Sequence, residues 1–186
     1  MCPLLIVAIF TGLRSSELRG LRWDDVDLEA KELHVRQRAD RYNVMGKPKS
    51  EAGERTIPLG PMVVNTLREW RLACPKGEFG LALPNSIGKI WNHFGIVRTM
   101  CRTVVAAGVI DAKGEAKYTG LHSLRHFYAS WCINRKAEGG LELPMKVVQE
   151  RLGHSSIVMT SDIYGHLFPS TDDGKELAEA EKMLLA

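Results

Sequence analysis

One change of sequence period constrains the fold of this chain. Residues 33–36 alternate between apolar and polar side chains, which is the pattern of a half-buried strand. Turn-forming residues occupy 43–53, and residues 55–57 again have strand character before a proline. We therefore expect a small antiparallel sheet of about three strands within residues 32–58. Helical periods flank this segment on both sides, which predicts an α+β fold: mainly α with a small three-stranded antiparallel β-sheet.

The first residues predict two helices that meet at a sharp junction. An apolar helix is expected over residues 3–11, closed by Gly12 in a left-handed cap. Its apolar run is too short to span a bilayer, and no positively charged segment precedes it as in a signal peptide. Ser15 is expected to cap a short helix at 16–21, with Glu17 in its first turn.

Helical periods return after the sheet. Further helices are expected from Pro61, over 87–107, over 122–136, from Pro144 to Gly153, around Tyr164 with Ser155 or Ser156 as its cap, and over 173–185. The expected apolar faces are Met62, Val63, Leu67, Trp70 and Leu72 in the first of these helices, Ile90, Phe94, Val97, Cys101 and Val104 in the second, and Leu177, Met183 and Leu184 in the last.

Composition, charge and cysteine spacing indicate the class of protein and the kinds of partner that fit it. A chain of 186 residues with 45% hydrophobic and 25% charged residues is typical of one soluble globular domain. The net charge of +3 is compatible with a nucleic-acid partner. The four cysteines form no CxxC pair, which suits neither a zinc ribbon nor a disulfide framework and favours reduced thiols in a cytosolic protein.

Several cationic side chains could form a phosphate site. His122 and Arg125 are three residues apart, so they share one face of the expected helix. Arg14 falls at the junction of the first two helices and could supply a second guanidinium for bidentate phosphate binding. Lys49 could donate a proton to an alkoxide leaving group, although a solvated loop lysine is its ordinary interpretation when taken alone.

The last two candidates lie near the C-terminus. His154 follows a predicted helix end and can reach a neighbouring site by a hydrogen bond. Tyr164 stands ten residues later, and nearby cations would have to promote its ionisation before it attacked a phosphate. A tyrosine alone more often serves as an amphipathic packing residue.

Taken in order, these residues stand in five motifs that resemble those of the tyrosine recombinase, or phage integrase, family. The motifs are Thr11-Gly-Leu-Arg-Ser-Ser-Glu-Leu18, Lys49-Ser-Glu-Ala-Gly-Glu-Arg-Thr-Ile-Pro-Leu59, Leu121-His-Ser-Leu-Arg-His126, Leu152-Gly-His-Ser155 and Ile163-Tyr-Gly-His166. The resemblance runs from about residue 4 to 168 and implies the tyrosine recombinase catalytic-domain fold.

The resemblance implies a role for each candidate. Arg14 and Arg125 would clamp the scissile phosphate. Lys49 would be the general acid for the 5′-hydroxyl leaving group, with Lys47 as its rival. Tyr164 would attack phosphorus and form a 3′-phosphotyrosyl DNA intermediate.

The histidines complete the implied set. His122 would assist proton transfer and phosphate contact, and His154 would hydrogen-bond the phosphate. Glu17 would orient Arg14, whereas His126 and His166 are expected to pack or cap. Neither a metal nor any other cofactor is implied.

Domain organisation and partners are also expectations from the resemblance. Residues 1–186 would be a catalytic domain without the family's N-terminal core-binding domain, as in a truncated prophage integrase. The partner would be double-stranded DNA in the cytoplasm, at the nucleoid, with a homotetramer on DNA and a monomer in isolation. Residues 173–185 resemble a segment that family members dock onto a neighbouring protomer, and packing against their own domain is the alternative.

Three other functions remain open from the sequence. A type IB topoisomerase shares much of the catalytic pattern, although the spacing around the tyrosine favours the integrases. A catalytically silent DNA-binding remnant would keep the same residues. A metal-dependent nuclease is disfavoured because the sequence lacks a clustered carboxylate set for two metals.

Overall fold

A computed structural model describes residues 2–168 and 181–185 of the chain. Its helices in the described ranges are α1 (Pro3–Thr11), α2 (Ser15–Gly20), α3 (Pro61–Ala73), α4 (His93–Ala106), α5 (His122–Ile133), α6 (Met145–Leu152) and α7 (Ile157–Tyr164). Its strands are β1 (Val26–Asp27), β2 (Glu32–Val35), β3 (Arg38–Ala39), β4 (Met45–Gly46) and β5 (Arg55–Pro58). Short 3₁₀ turns occupy Trp23–Asp25, Glu51–Gly53, Lys136–Glu138 and Gly165–Leu167.

The mainly α fold with a small sheet is confirmed. β1, β2 and β5 form an antiparallel sheet in that order, and Leu33 lies opposite Ile57 with both side chains fully buried. The strand Val26–Asp27 lies before the segment in which strands were predicted. It was not predicted because two residues are too few to show an apolar–polar alternation. Strands β3 and β4 form a separate two-stranded ribbon.

Helix α1 is the central helix of the larger core. Its side chains Leu4 to Ala8 are buried, and the helix packs against both α3 and α5. Gly12 ends it with a φ of +61°, as predicted, and a Cβ on this residue would lie 2.3 Å from Cδ1 of Tyr128. This close approach fixes the end of α1 against α5.

Helix α2 begins one residue earlier than predicted. Its N-cap residue is Arg14 rather than Ser15, and the backbone N–H of Arg14 donates to Glu17 Oε2 at 2.8 Å. The glutamate therefore caps the helix from its third position, in the manner of one half of a capping box.

The predicted helix over 87–107 is shorter in the structure. It begins at His93 because Asn92 caps it, with Asn92 Oδ1 accepting from the Gly95 amide at 2.6 Å. Its buried face is Ile96, Met100 and Val104, whereas Phe94, expected inside, is 79% exposed. The buried face of α4 therefore lies about one residue away from the predicted face, with Ile96 and Met100 in place of Val97 and Cys101.

The predicted apolar face of α3 is only partly right. Val63 and Leu67 are buried, but Met62 and Leu72 are 53% and 91% exposed. At 100° per residue, Leu72 points to the side of the helix opposite Val63. Trp70 is half-buried and donates from Nε1 to the carbonyl of Ala82 at 2.8 Å.

Helices α5, α6 and α7 form a second core. Its buried members are Tyr128, Ala129, Cys132, Ile133, Val148, Leu152 and Tyr164. Gly153 ends α6 in a left-handed conformation, with φ of +63°, and Ser156 caps α7 by accepting from the Met159 amide at 3.3 Å. Both features agree with the prediction. They bring the segment around His154 over the end of α6.

The predicted helix over 173–185 lies mostly outside the described residues, as does Leu177. Residues 181–184 are helical, and Met183 and Leu184 are 80% and 86% exposed. Of the helices in the described ranges, none has both the length and the apolar character that crossing a membrane requires.

Candidate active site

Arg14 lies where the chain turns from α1 into α2. Its Nη1 donates to Glu17 Oε1 at 2.9 Å, and its Nη2 donates to the carbonyl of Gly153 at 2.9 Å. The side chain is 39% exposed, so part of the guanidinium remains open to solvent. Two of its five N–H donors serve these contacts, which leaves others for a ligand.

Glu17 is held by a second arginine from the sheet. Arg55 donates from Nη2 to Glu17 Oε2 at 2.9 Å and from Nη1 to Oε1 at 3.1 Å. Burial would raise the pKa of Glu17, but the hydrogen bonds and charges of Arg55 and Arg14 outweigh it and hold the pKa below 4.5. Glu17 is therefore an internal carboxylate shared by two arginines.

Arg55 also ties together three other parts of the chain. Its Nε donates to the carbonyl of Arg151 at 2.8 Å, and its Nη1 donates to the carbonyl of Gly53 at 3.0 Å. These bonds join β5 to the end of α6 and to the turn that follows Lys49. No pattern in the sequence indicated this role for Arg55.

Arg125 is nearly inaccessible, with 3% of its surface exposed. Its Nη1 donates to the carbonyl of Gly12 at 2.6 Å, and its Nη2 donates to the carbonyl of Leu152 at 2.5 Å. Burial and the positive charge of Arg14 lower its pKa to about 10, so it stays charged at neutral pH. Arg125 thus binds the ends of α1 and α6 at the base of the site.

A cleft of about 400 Å³ lies beside these two arginines. The residues that line it are Leu13, Arg14, Ser15, Ser16, Arg19, Arg41, His93, Leu121, His122 and Arg125. Within the described part of the chain its lining includes four arginines and no carboxylate. This concentration of positive charge suits an anionic ligand such as a phosphodiester.

His122 begins α5 at the edge of the same cleft. Burial lowers its pKa below 6.5, and the positive charges of His126, Arg125 and Arg14 lower it further. Its ring meets the ring of His126 edge-on, with 4.4 Å between the centroids. His122 is therefore a mainly neutral imidazole at neutral pH, next to a second imidazole.

Lys49 lines an adjoining depression of about 290 Å³, which Arg14, Ser16 and Glu17 also line. Lys49 is exposed and precedes the 3₁₀ turn at Glu51–Gly53 rather than standing in a strand. Lys47 does not line this depression, and its carbonyl accepts from Arg38 Nε at 3.2 Å. Arg14 therefore stands between Lys49 and the arginine-rich cleft.

His154 is buried beside the end of α6. Its Nδ1 hydrogen-bonds Thr160 Oγ1 at 2.9 Å, and its carbonyl accepts from Gln149 Nε2 at 2.9 Å. Burial lowers the pKa of His154 to about 4, with added lowering from the charges of Arg125, Arg14 and Arg55. Its imidazole is neutral at neutral pH and nearly parallel to the Tyr164 ring, with centroids 6.4 Å apart.

Tyr164 ends α7 and is 4% exposed. Its Oη lies 2.8 Å from Nδ1 of His126, which is the next residue after Arg125 on α5. Burial raises the pKa of the Tyr164 phenol above its usual 10, and the charge of Arg125 opposes that rise. The nucleophile implied by the motif is thus a protonated, sequestered phenol bound to a histidine.

The structure brings Arg14, His122 and Arg125 to one cleft. His154 and Tyr164 lie together outside the lining of this cleft, and Tyr164 contacts the residue that follows Arg125 on α5. Two contributors were missed, Arg55 and His126. His126 was expected to pack or cap, yet it hydrogen-bonds Tyr164. Its position four residues after His122, on the same helix face, was a signal that could have indicated it.

Clusters of three or more His, Cys, Asp or Glu side chains that could hold a metal ion do not occur within 2–168 and 181–185.

The chain matches a known protein family. A sequence model of the phage integrase family matches residues 3–171. Because this match spans most of the chain, the chain belongs to the phage integrase family.

Curated relatives of the chain are tyrosine recombinases and integrases. A tyrosine recombinase XerC-like protein of Caldanaerobacter subterraneus subsp. tengcongensis is 28% identical over 190 residues, covering 89% of this chain and 45% of the relative. The tyrosine recombinase XerC of Xylella fastidiosa is 32% identical over 157 residues, covering 84% of this chain and 45% of the relative. The ICEBs1 integrase of Bacillus subtilis is 26% identical, covering 93% of this chain and 46% of the relative. The chain therefore spans less than half the length of these relatives.

Solved structures share the fold. The Tn1549 transposon integrase, in complex with circular intermediate DNA, matches with a TM-score of 0.73 at 23% identity, covering 97% of this chain and 59% of that one. The XerA recombinase matches with a TM-score of 0.65 at 21% identity, covering 96% of this chain and 55% of that one. The fold is that of the tyrosine recombinase catalytic domain.

Proposed function

We propose that this chain is the catalytic part of a site-specific tyrosine recombinase that cleaves and rejoins DNA strands through a 3′-phosphotyrosine intermediate. The observation that carries the proposal is the cleft in which Arg14, His122 and Arg125 converge, with Tyr164 bound through Oη to His126, the residue after Arg125 on α5. Membership of the phage integrase family supports it.

In this function the scissile phosphate occupies the arginine-rich cleft. Arg14 and Arg125 use their free N–H groups to bind its oxygens and to stabilise the charge of the pentacoordinate transition state. His122 contacts the phosphate and assists proton transfer, and His154 supplies a further hydrogen bond. Tyr164 attacks phosphorus.

Lys49 is the general acid that protonates the departing 5′ oxygen. Its support is its place in the depression that shares Arg14 and Glu17 with the phosphate site. Lys47 lines neither that depression nor the cleft.

The domain and partner assignments belong to the same proposal. Residues 1–186 form one catalytic domain, and the greater length of the matched relatives is consistent with a separate core-binding domain in the family. We further propose double-stranded DNA as the substrate at the nucleoid, a tetramer on DNA and a monomer in its absence. Sedimentation of the chain with and without duplex DNA tests the last two assignments.

A nicked suicide substrate tests the chemistry. Duplexes that bind the chain are first selected from a random pool and then nicked just beyond the cleavage position, so that the short fragment with the 5′-hydroxyl is lost after cleavage and a covalent adduct accumulates. The wild-type chain should give a protein–DNA band that resists denaturation by detergent. Tyr164→Phe should give none, and Tyr118→Phe, at an exposed position, should match the wild type.

The outcomes separate the candidate functions. Equal adduct from the wild type and Tyr164→Phe would show that the nucleophile is another residue. DNA binding without any adduct from the wild type would identify a catalytically silent DNA-binding remnant.

A further inference from the structure

The contact between Tyr164 and His126 joins the two helices of the site. Among the described residues, His126 Nδ1 is the hydrogen-bond partner of Tyr164 Oη, at 2.8 Å. The ring centroids lie 5.6 Å apart, and the His122 ring also meets the His126 ring edge-on, with 4.4 Å between the centroids. A reacting oxygen is therefore in direct contact with a group that can accept a proton.

The phenol needs such a group. At neutral pH about one free tyrosine in a thousand is ionised, because its ordinary pKa is near 10. Burial makes ionisation of Tyr164 harder still. A general base must lie within about 2.6–3.2 Å of the proton that it removes, and Nδ1 of His126 meets this requirement.

The other histidines near Tyr164 are placed differently. His154 uses its Nδ1 to bond Thr160, and its ring lies parallel to the phenol with 6.4 Å between centroids. His122 faces the cleft and contacts His126. Arg125 on α5 is a positive charge that acts on the Tyr164 phenol and opposes the rise in its pKa that burial causes.

We propose that His126 is the general base of the cleavage step, an inference that rests on the proposed function. As the bond from Tyr164 Oη to phosphorus forms, His126 Nδ1 takes the phenolic proton. The bond from phosphorus to the 5′ oxygen breaks, and that oxygen receives a proton from Lys49. Religation reverses each transfer, with the His126 imidazolium returning its proton to the departing phenolate.

Single-turnover adduct formation on the suicide substrate tests the catalytic part. In His126→Asn the amide oxygen can accept the phenol hydrogen bond but cannot take the proton. We expect its rate to fall by about 10²–10⁴-fold, with affinity for uncleaved DNA within about twofold of the wild type. His126→Ala should be accelerated by added imidazole, whereas His34→Ala, on β2 and outside the cleft lining, should react normally and show no effect of imidazole.

The pH profile provides a readout that a merely structural role would not change. The wild-type rate should level off as pH rises, whereas the His126→Asn rate should keep rising with pH as hydroxide replaces the base. Wild-type or faster cleavage by both variants would overturn the proposal and would identify the contact as a restraint on Tyr164. That result, combined with adduct formation by the wild type and none by Tyr164→Phe, leaves the proposed function standing.

The tautomer of His126 gives a second test that does not depend on activity. Nitrogen-15 NMR of the 186-residue chain should show Nδ1 unprotonated and the proton on Nε2, with a change in the Nδ1 shift in Tyr164→Phe. A proton on Nδ1 of neutral His126 would overturn the proposal, because that nitrogen would then donate to the phenol oxygen.

Discussion

Glu17 and Arg55 form a paired ionic contact inside the protein, with Arg55 Nη2 2.9 Å from Glu17 Oε2. The side chain of Arg55 is 6% exposed and that of Glu17 is 3% exposed. The same carboxylate binds Arg14, and the same guanidinium binds Gly53 and Arg151. The pair therefore holds Arg14, the Lys49 turn and the end of α6 in one arrangement. It connects the sheet to the site.

Removing Arg55 should destabilise the fold strongly. Arg55→Ala leaves the Glu17 carboxylate buried with half of its partners, and loss of one member of a buried pair costs about 3–5 kcal/mol. The free energy of unfolding from urea titration measures this. The control is Arg68→Ala, whose pair with Glu29 has the same 2.9 Å distance but is largely exposed, so its loss should cost under about 1 kcal/mol. Equal losses in the two variants would contradict the assignment.

The stability of the protein should rise as pH increases from 4 to 6.5. His154 has a pKa of about 4 in the fold and about 6.5 when unfolded, so the unfolded chain binds more protons in this window. The contribution is fully present above pH 6.5, is lost as pH falls towards 4, and amounts to no more than about 3.4 kcal/mol at 1.36 kcal/mol per pKa unit. Glu17 extends the loss below pH 4.5, because its folded pKa is also lowered.

Urea midpoints at pH 4.5 and pH 7 measure this dependence. His154→Asn should reduce the difference between the two midpoints, while His34→Asn, an exposed histidine on β2, should preserve it. An unchanged difference in His154→Asn would assign the pH dependence to other groups, among which His122 also has a lowered pKa.

The sequence predicted those parts of the site that depend on local order. Arg14 follows a helix that Gly12 ends, and His122 and Arg125 share one face of α5 because of helical spacing. The contacts of Arg55 with Glu17 and of His126 with Tyr164 each join residues 38 positions apart. Such pairs depend on how α6, α7 and the sheet pack around α5, and no local pattern encodes that packing.

The fold shows the same division. The α+β class and the left-handed ends of α1 and α6 could be predicted, because glycine and alternation act over a few residues. The start of α4 could not be predicted, because Ile87 and Ile90 extend the apolar pattern beyond the helix. Both residues precede Asn92, which caps the helix, and a turn lies in the segment before it. Side-chain capping at Asn92 decided the boundary there, and with it which apolar residues face the core.

Substitution of Gly12 should separate backbone strain from steric conflict. Gly12→Ala combines a left-handed φ of +61° with a Cβ 2.3 Å from the Tyr128 ring. Gly108→Ala has a similar φ of +72° and open space around its Cβ. We expect a loss of about 1–2 kcal/mol for Gly108→Ala from the conformation alone. Gly12→Ala should lose roughly 1–3 kcal/mol more through the forced shift of Tyr128. Equal losses in thermal or urea unfolding would contradict this close approach.

Arg125→Ala should lower stability as well as strand cleavage. Arg125 satisfies the carbonyls of Gly12 and Leu152 in the interior. Charged hydrogen bonds of this kind contribute about 1.5–3 kcal/mol each. Arg14→Ala is the matched comparison, because its side chain is 39% exposed and Glu17 keeps Arg55 as a partner. Both variants should lose covalent adduct, whereas only Arg125→Ala should show a large decrease in the urea midpoint.

The two lysines of the hairpin should be separable by the leaving group. Lys49→Ala should slow adduct formation by about 10²–10⁴-fold on ordinary DNA, since a general acid is lost. Sulfur in place of the bridging 5′ oxygen leaves as a thiolate and needs no proton, so the same variant should then cleave at close to the wild-type rate. Lys47→Ala should be nearly normal on both substrates, because Lys47 lies outside the depression that Arg14 and Lys49 line.

His126→Asn should remain slow on the sulfur substrate, because its defect concerns the attacking phenol. An equal defect of Lys49→Ala on both substrates would assign Lys49 a structural role, and rescue of Lys47→Ala instead would make Lys47 the acid.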